Sequence, residues 1–209
     1  MNIEVIVRNW RFWIAIAILV GVFGCSAVIV FGTALGDQAR QPTREALAAM
    51  TPFREICGGG AGQSSARGLA AGPGPHQIVL FRTLIASAQD LTSYYNRTED
   101  YPIEWRATTP ADVELVACVH AETVAIETCE YTLESGVGAV LQRYQWVSRV
   151  VLHDARSGAV IDEGVIEGSR PRECRDSESF AGSLTTQVVT GEQPSVEAIA
   201  EWLTPRVTR

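Results

Sequence analysis

Residues 12–36 (FWIAIAILVGVFGCSAVIVFGTALG) run without a single charged side chain. About 20 consecutive apolar residues are enough to span a bilayer, so this stretch predicts a transmembrane helix. Arg8 and Arg11 precede it, with Trp10 and Trp13 where interfacial aromatic side chains sit, and the chain turns polar at Asp37, Gln38 and Arg40. The arrangement predicts residues 1–11 in the cytoplasm and residues 37–209 outside it, in the periplasm or at the cell surface. Two alternatives give the same export. A cleaved signal peptide would use Ala34-Leu35-Gly36 as its small-residue site, although its apolar core is normally shorter. A lipoprotein would acylate Cys25, against which stand the bulky Phe23 and the apolar residues that follow Cys25.

The 17 basic residues are all arginine, against 24 acidic ones, for a formal net charge of -7. Beyond the anchor the balance is 15 arginines against 23 acids, a net -8. An acidic domain of this kind repels nucleic acid and anionic lipid. Locally, arginines such as Arg170, Arg172 and Arg175 could still make a small basic spot. Without lysine there is no P-loop lysine, no Schiff base and no Ser-x-x-Lys pair. Gly-x-Ser-x-Gly and His-Glu-x-x-His are absent as well. No catalytic residue, cofactor or metal is expected, and a binding role remains.

Outside the apolar run lie four cysteines, Cys57, Cys118, Cys129 and Cys174, an even number in a compartment where disulfides persist. A hairpin of strands 113–120 and 124–132, turning at Thr123 and Val124, would set Cys118 opposite Cys129, close enough to bridge. That pairing leaves Cys57 with Cys174. A zinc site is disfavoured because no Cys-x-x-Cys or His-x-x-x-His pair occurs, although His76, His120 and His153 are present.

The rest of the chain reads as an α+β domain, an antiparallel sheet with a C-terminal packing helix. Residues 37–50 suit a juxtamembrane helix with Thr43 as a possible cap, limited by Pro52. Residues 58–75 (GGGAGQSSARGLAAGPGP) have linker composition and lack the third glycine of a phosphate cradle. The folded domain is therefore expected over residues 76–209. Strands are expected at 76–82 and 91–96. Between residues 94 and 105, Tyr94, Tyr95, Tyr101 and Trp105 form the candidate binding surface, with packing beneath a loop as the competing reading. Asn96-Arg97-Thr98 is a glycosylation sequon. Residues 140–153 alternate, with Val140, Tyr144, Trp146, Val150 and Leu152 on an inner face and Arg143, Gln145, Arg149 and His153 facing water. Asp154 to Gly158 supplies a turn and residues 159–167 the return strand, while 185–190 reads as an edge strand. Glu127, Glu130 and Glu134 read as a solvated hairpin face. Ser195 caps a helix with Val196, Ile199, Ala200 and Leu203 on one side, closed by Pro205.

ELVACV, ETCEY, RYQWVSRVVLHDARSGAVI, EGSRPREC and PSVEAIAEWLTPRV, over residues 113–207, resemble a family of uncharacterised bacterial envelope proteins that are membrane-anchored or exported. The resemblance implies an exported domain with cysteines at 118, 129 and 174, and no activity. The strand, Asp-Ala-x-Ser-Gly turn and return strand also look like those of periplasmic lipoproteins that assist envelope assembly. Together these readings predict a single-pass, extracytoplasmic accessory subunit that binds a membrane or envelope protein. An exported carboxylate-dependent hydrolase and a small-ligand receptor are the alternatives.

Overall fold

A computed structural model describes residues 44–83, 94–182 and 184–209. The apolar run and its flanking Arg8, Trp10, Arg11 and Trp13 lie outside the described residues. Among the described residues no helix is long and apolar enough to cross a membrane. The chain divides after Gln41, and every element below belongs to the unit Pro42–Arg209.

Two short helices, α1 (Arg44–Ala49) and α2 (Arg54–Cys57), flank a 3-10 turn at Thr51–Phe53 that holds Pro52. Six strands follow: β1 (Ile78–Thr83), β2 (Tyr94–Asn96), β3 (Leu115–Thr132), β4 (Gly138–Asp154), β5 (Val160–Glu167) and β6 (Thr186–Thr190). Helix α3 (Val196–Val207) closes the fold. Their order in the sheet is β2-β1-β3-β4-β5, with β6 also on β4. The α+β class and the C-terminal helix agree with expectation, and the sheet is mostly antiparallel. It is not wholly so, because β1 runs parallel to β3 and β6 parallel to β4.

The spine of the sheet is the β3–β4 pair, in register from Leu115 opposite Asp154 to Thr132 opposite Gly138. The turn expected at Thr123 and Val124 does not exist. Residues 121–124 (AETV) contain no glycine, proline or asparagine to reverse the chain, and β3 continues through them with a bulge between Ala125 and Glu127. Cys118 and Cys129 are therefore 11 positions apart on one strand and cannot meet. The disulfides instead join Cys57 to Cys118 and Cys129 to Cys174, with Cα separations of 5.4 and 5.9 Å. The first ties α2 to β3, and the second ties the far part of β3 to the loop after β5.

Alternation in the proximal half of the sheet loads both faces with apolar side chains. On one face Ile78, Leu80, Leu115, Ala117, Val119, Val150 and Leu152 pack under Ile199, Leu203 and Val207 of α3. On the other, Val79, Phe81, Val116 and Cys118 pack under Met50, Phe53 and Ile56. The N-terminal helical segment thus covers one of the two core faces of the sheet, and the folded unit begins well before residue 76. The glycine-rich segment is docked as well. Gln63 N donates to Ala155 O, Arg67 N to Val113 O and Leu69 N to the Asp154 carboxylate. Gly62 lies so close to the 156–158 turn that an added Cβ would stand 2.3 Å from Arg156 O. That contact explains a glycine in a segment of linker composition.

The Asp154 turn forms as its residues require. Its carboxylate accepts from Ser157 N at 2.6 Å, and Gly158 takes φ 76°. Burial raises the Asp154 pKa, but bonds from Leu69 N and Ser157 outweigh it and hold the group below its ordinary value. At α3, Ser195 Oγ accepts from Ala198 N. Pro205 does not end the helix, which runs to Val207. Proline there forgoes only the bond to the carbonyl of exposed Glu201, while Val207 is fully buried one turn further along the core.

Candidate docking surface

Beyond the reach of α3, β3 and β4 continue as a long ribbon. Twelve helical residues span about 18 Å, whereas the 17 residues of β4 extend about 56 Å, so α3 covers only one part of the strand. The ribbon's two faces are treated differently.

One face is sealed by the loop following β5, residues 168–182. Arg143, 6% exposed, donates from Nη2 to Pro171 O at 2.9 Å and pairs through Nη1 with Glu127. Gln145 donates to Gly168 O at 2.9 Å. Tyr131 meets Phe180 edge to face, and the Cys129–Cys174 disulfide pins the loop. Arg143 and Gln145, expected to face water, are therefore buried. The alternation is as expected, but both sides of the strand are covered at different places along it. Glu127 and Glu130 share β3, and the first is half exposed and paired while the second is exposed.

The opposite face is the one that carries Val150 and Leu152 under α3. It continues into the ribbon through Trp146, Tyr144, Gln142 and Val140. Register places Thr123, Ala125, Thr128 and Glu130 of β3 beside these residues on one side, and Thr190, Val188 and Thr186 of β6 on the other. All seven flanking residues are exposed, with Val188 at 53%. Val140, Gln142, Tyr144 and Trp146 are themselves half-buried between these exposed rows, and the connection from β6 to α3 crosses the sheet beside Tyr144 to reach Arg82 of β1. The pairing of β1 with β3 ends at Val119, so β3 beyond Glu122 has an open edge among the described strands. Val124 and Ile126 along it are exposed. An exposed strand edge of this kind presents unpaired backbone groups with which another chain can pair.

The aromatic surface expected between residues 94 and 105 is not assembled. Tyr101 and Trp105 are 3% and 4% exposed and belong to the core under α3. Tyr94 is half-buried against the other core, and only Tyr95 is open to solvent. A short β2 and two 3-10 turns fold this segment inward. The sequon is closed too, since Asn96 Nδ2 is buried and Thr98 Oγ1 is engaged with Leu80 N at 2.8 Å. Arg170 and Arg172 line a cavity of about 590 Å³ beside Arg143 and Cys174. Of that basic group Arg172 is paired with Glu178, and the neighbouring Arg143 is paired with Glu127.

Burial pushes the Tyr101 hydroxyl up to about 12, and that hydroxyl is buried with no hydrogen-bond partner. The fold favours its neutral form, so this group's contribution is present below pH 10 and is lost as pH rises from about 10 toward 12. Tyr101→Phe removes the unsatisfied group and is expected to raise stability by about 1 kcal/mol. It should also flatten the loss at alkaline pH. Urea unfolding at neutral and alkaline pH measures both.

The residues that form the open face, Tyr144, Trp146 and Val188, are not among the candidate binding residues read from the sequence. Their signal was the mismatch between one short helix and one long alternating strand. No protein-family model, curated protein or solved structure matches the chain.

Proposed function

We propose that this chain is a single-pass membrane protein whose disulfide-bonded domain lies outside the cytoplasmic membrane. There it binds a membrane or envelope protein as an accessory subunit. The observation that carries the binding role is the three-stranded face around half-buried Tyr144 and Trp146 and exposed Val188, continuous with an edge of β3 that is unpaired among the described strands. Aromatic and branched apolar side chains ringed by threonines suit a protein partner, with the aromatic pair as anchor and the threonines as rim. The two disulfides support an oxidising compartment, and residues 12–36 support the anchor.

The reading is tested by recovering the tagged full-length protein from native membranes in mild detergent and identifying what accompanies it. A stoichiometric envelope protein is expected, and Trp146→Ala with Val188→Ser should weaken its retention by about thirtyfold or more, as loss of an interface anchor does. A partner retained equally by the folded variant would place the docking surface elsewhere.

A further inference from the structure

A feature on the loop-covered side of the ribbon goes beyond that reading. The two disulfides stand in different surroundings. Cys118 is buried in the core under α2, and its partner Cys57 is half-buried beside it. Cys129 is buried on β3 as well, but Cys174 is exposed on the loop after β5. Thiol–disulfide exchange begins with attack on one sulfur, and access to that sulfur governs its rate. Of the four bridged cysteines, Cys174 alone is exposed. The cavity of about 590 Å³ lies beside its bridge, with Cys174, Ile126 and Pro171 in the wall. The lining also carries Arg143, Arg170 and Arg172 against Glu127 and Glu173, and Glu178 pairs with Arg172. An incoming thiolate therefore meets no net negative charge there, although the chain as a whole is acidic.

The same bridge fastens the loop. Residues 168–182 form no helix or strand. At its start the loop is held by hydrogen bonds, Gly168 N donating to Trp146 O at 2.8 Å and Pro171 O accepting from Arg143. From Arg172 to Ala181 no hydrogen bond joins the loop to a described strand, and the Arg172–Glu178 pair is internal to it. Over that stretch it is fastened by the Cys129–Cys174 bond and by the Phe180 ring against Tyr131. A segment with so few ties opens at a far lower free energy than the core does.

We infer that the Cys129–Cys174 bridge is an exchange site for an external dithiol, and that its reduction releases the loop from the ribbon while the Cys57–Cys118 bridge stays closed. A thiolate of the dithiol attacks Cys174 Sγ, a new sulfur–sulfur bond forms there, and the bond to Cys129 breaks with its electron pair leaving on the Cys129 thiolate. The second sulfur of the dithiol, its proton lost to water, then attacks the first. Cys174 leaves as a thiolate and the reductant departs as its own disulfide. Two electrons have passed to the protein, and the two thiolates take up protons from water according to their pKa values.

Dithiothreitol is the probe. Full-length protein in mild detergent is first treated with N-ethylmaleimide to block Cys25. It is then reduced under native conditions, and the thiols released over time are labelled with iodoacetamide and mapped. Cys129 and Cys174 should appear together, about a hundredfold or more faster than Cys57 and Cys118, whose bridge waits for the core to open. With the monothiol 2-mercaptoethanol, the trapped intermediate should carry the adduct on Cys174 and the label on Cys129. Trypsin should cut after Arg172 and Arg175 about tenfold faster once the bridge is reduced. The double variant Cys129→Ser with Cys174→Ser should be cut at that faster rate without reductant, and protection of its Cys57 and Cys118 from label shows that it has folded. Reduced thioredoxin at the same dithiol concentration distinguishes the source of the reductant. Faster release than with dithiothreitol supports a protein dithiol at this site, and slower release supports a small one. Release of Cys57 and Cys118 as fast as Cys129 and Cys174, an adduct on Cys129, or unchanged cleavage after reduction would overturn the proposal.

Discussion

Replacing Cys57 and Cys118 together with alanine is expected to lower stability by about 4 kcal/mol. The cysteines are 61 residues apart in sequence, and their bridge closes a loop over most of the first half of the folded unit. Without it the unfolded chain regains the freedom to separate α2 from β3. The effect is not confined to chain entropy. Cys118 is 4% exposed in the same core as Phe53, Val79 and Phe81, so removing its sulfur also removes packing. A loss of this size is a large part of the 5–15 kcal/mol typical of a folded domain. Denaturant unfolding of the double variant against the parent should show the drop, and reductant should erase most of the difference between them. Non-reducing peptide mapping of the parent should yield Cys57 linked to Cys118 and Cys129 linked to Cys174. Fragments linking Cys118 to Cys129 would contradict the continuous strand.

Leu203→Ala should cost about 3 kcal/mol, within the range seen for buried leucine truncations. Leu203 is fully buried at the centre of the α3 contact, with Ile199 one turn before it and Val207 one turn after. Its neighbours Val150 and Leu152 are held by pairing on both edges of β4 and cannot move in to fill the space. For a unit of this length such a loss lowers Tm by roughly 6–12 °C. Thermal unfolding followed by near-ultraviolet circular dichroism reports it. Glu201→Ala, on the exposed side of the same helix, should leave Tm almost unchanged, which separates core packing from helix propensity.

Local patterns made β4, the Asp154 turn, β5 and α3 legible in the sequence. Each is set by residues within a few positions: the alternation from Val140 to Leu152, the Asp154 carboxylate over Ser157, and Ser195 over Ala198. What stayed hidden depends on distant partners. Residues 58–75 have linker composition because their bonds run to Val113, Asp154 and Ala155, far along the chain. Disulfide connectivity depends on which strands are adjacent, and the pairing of Cys118 with Cys129 follows only from a hairpin turn at Thr123 and Val124, where no turn residue stands. β3 itself lacks a clear period of two from Thr123 to Thr128, because all six residues there are exposed. The proposed docking surface is half visible in the sequence, since the alternation of β4 puts Tyr144 and Trp146 on the face of Val150 and Leu152. The tyrosine-rich segment drew attention by density of aromatic residues, and density is what core packing under a loop also produces, as Tyr101 and Trp105 show.

The most direct test of the proposed docking surface is site-specific photocrosslinking in intact cells. A photoreactive residue in place of Thr128, exposed on the β3 flank of that face, should form a discrete crosslink to an envelope or membrane protein, and Trp146→Ala should abolish it. The same residue in place of Val165, exposed on β5 and away from that face, should give none. Crosslinks from Val165 and none from Thr128 would contradict the account, because the partner would then sit on a surface that the open ribbon does not provide.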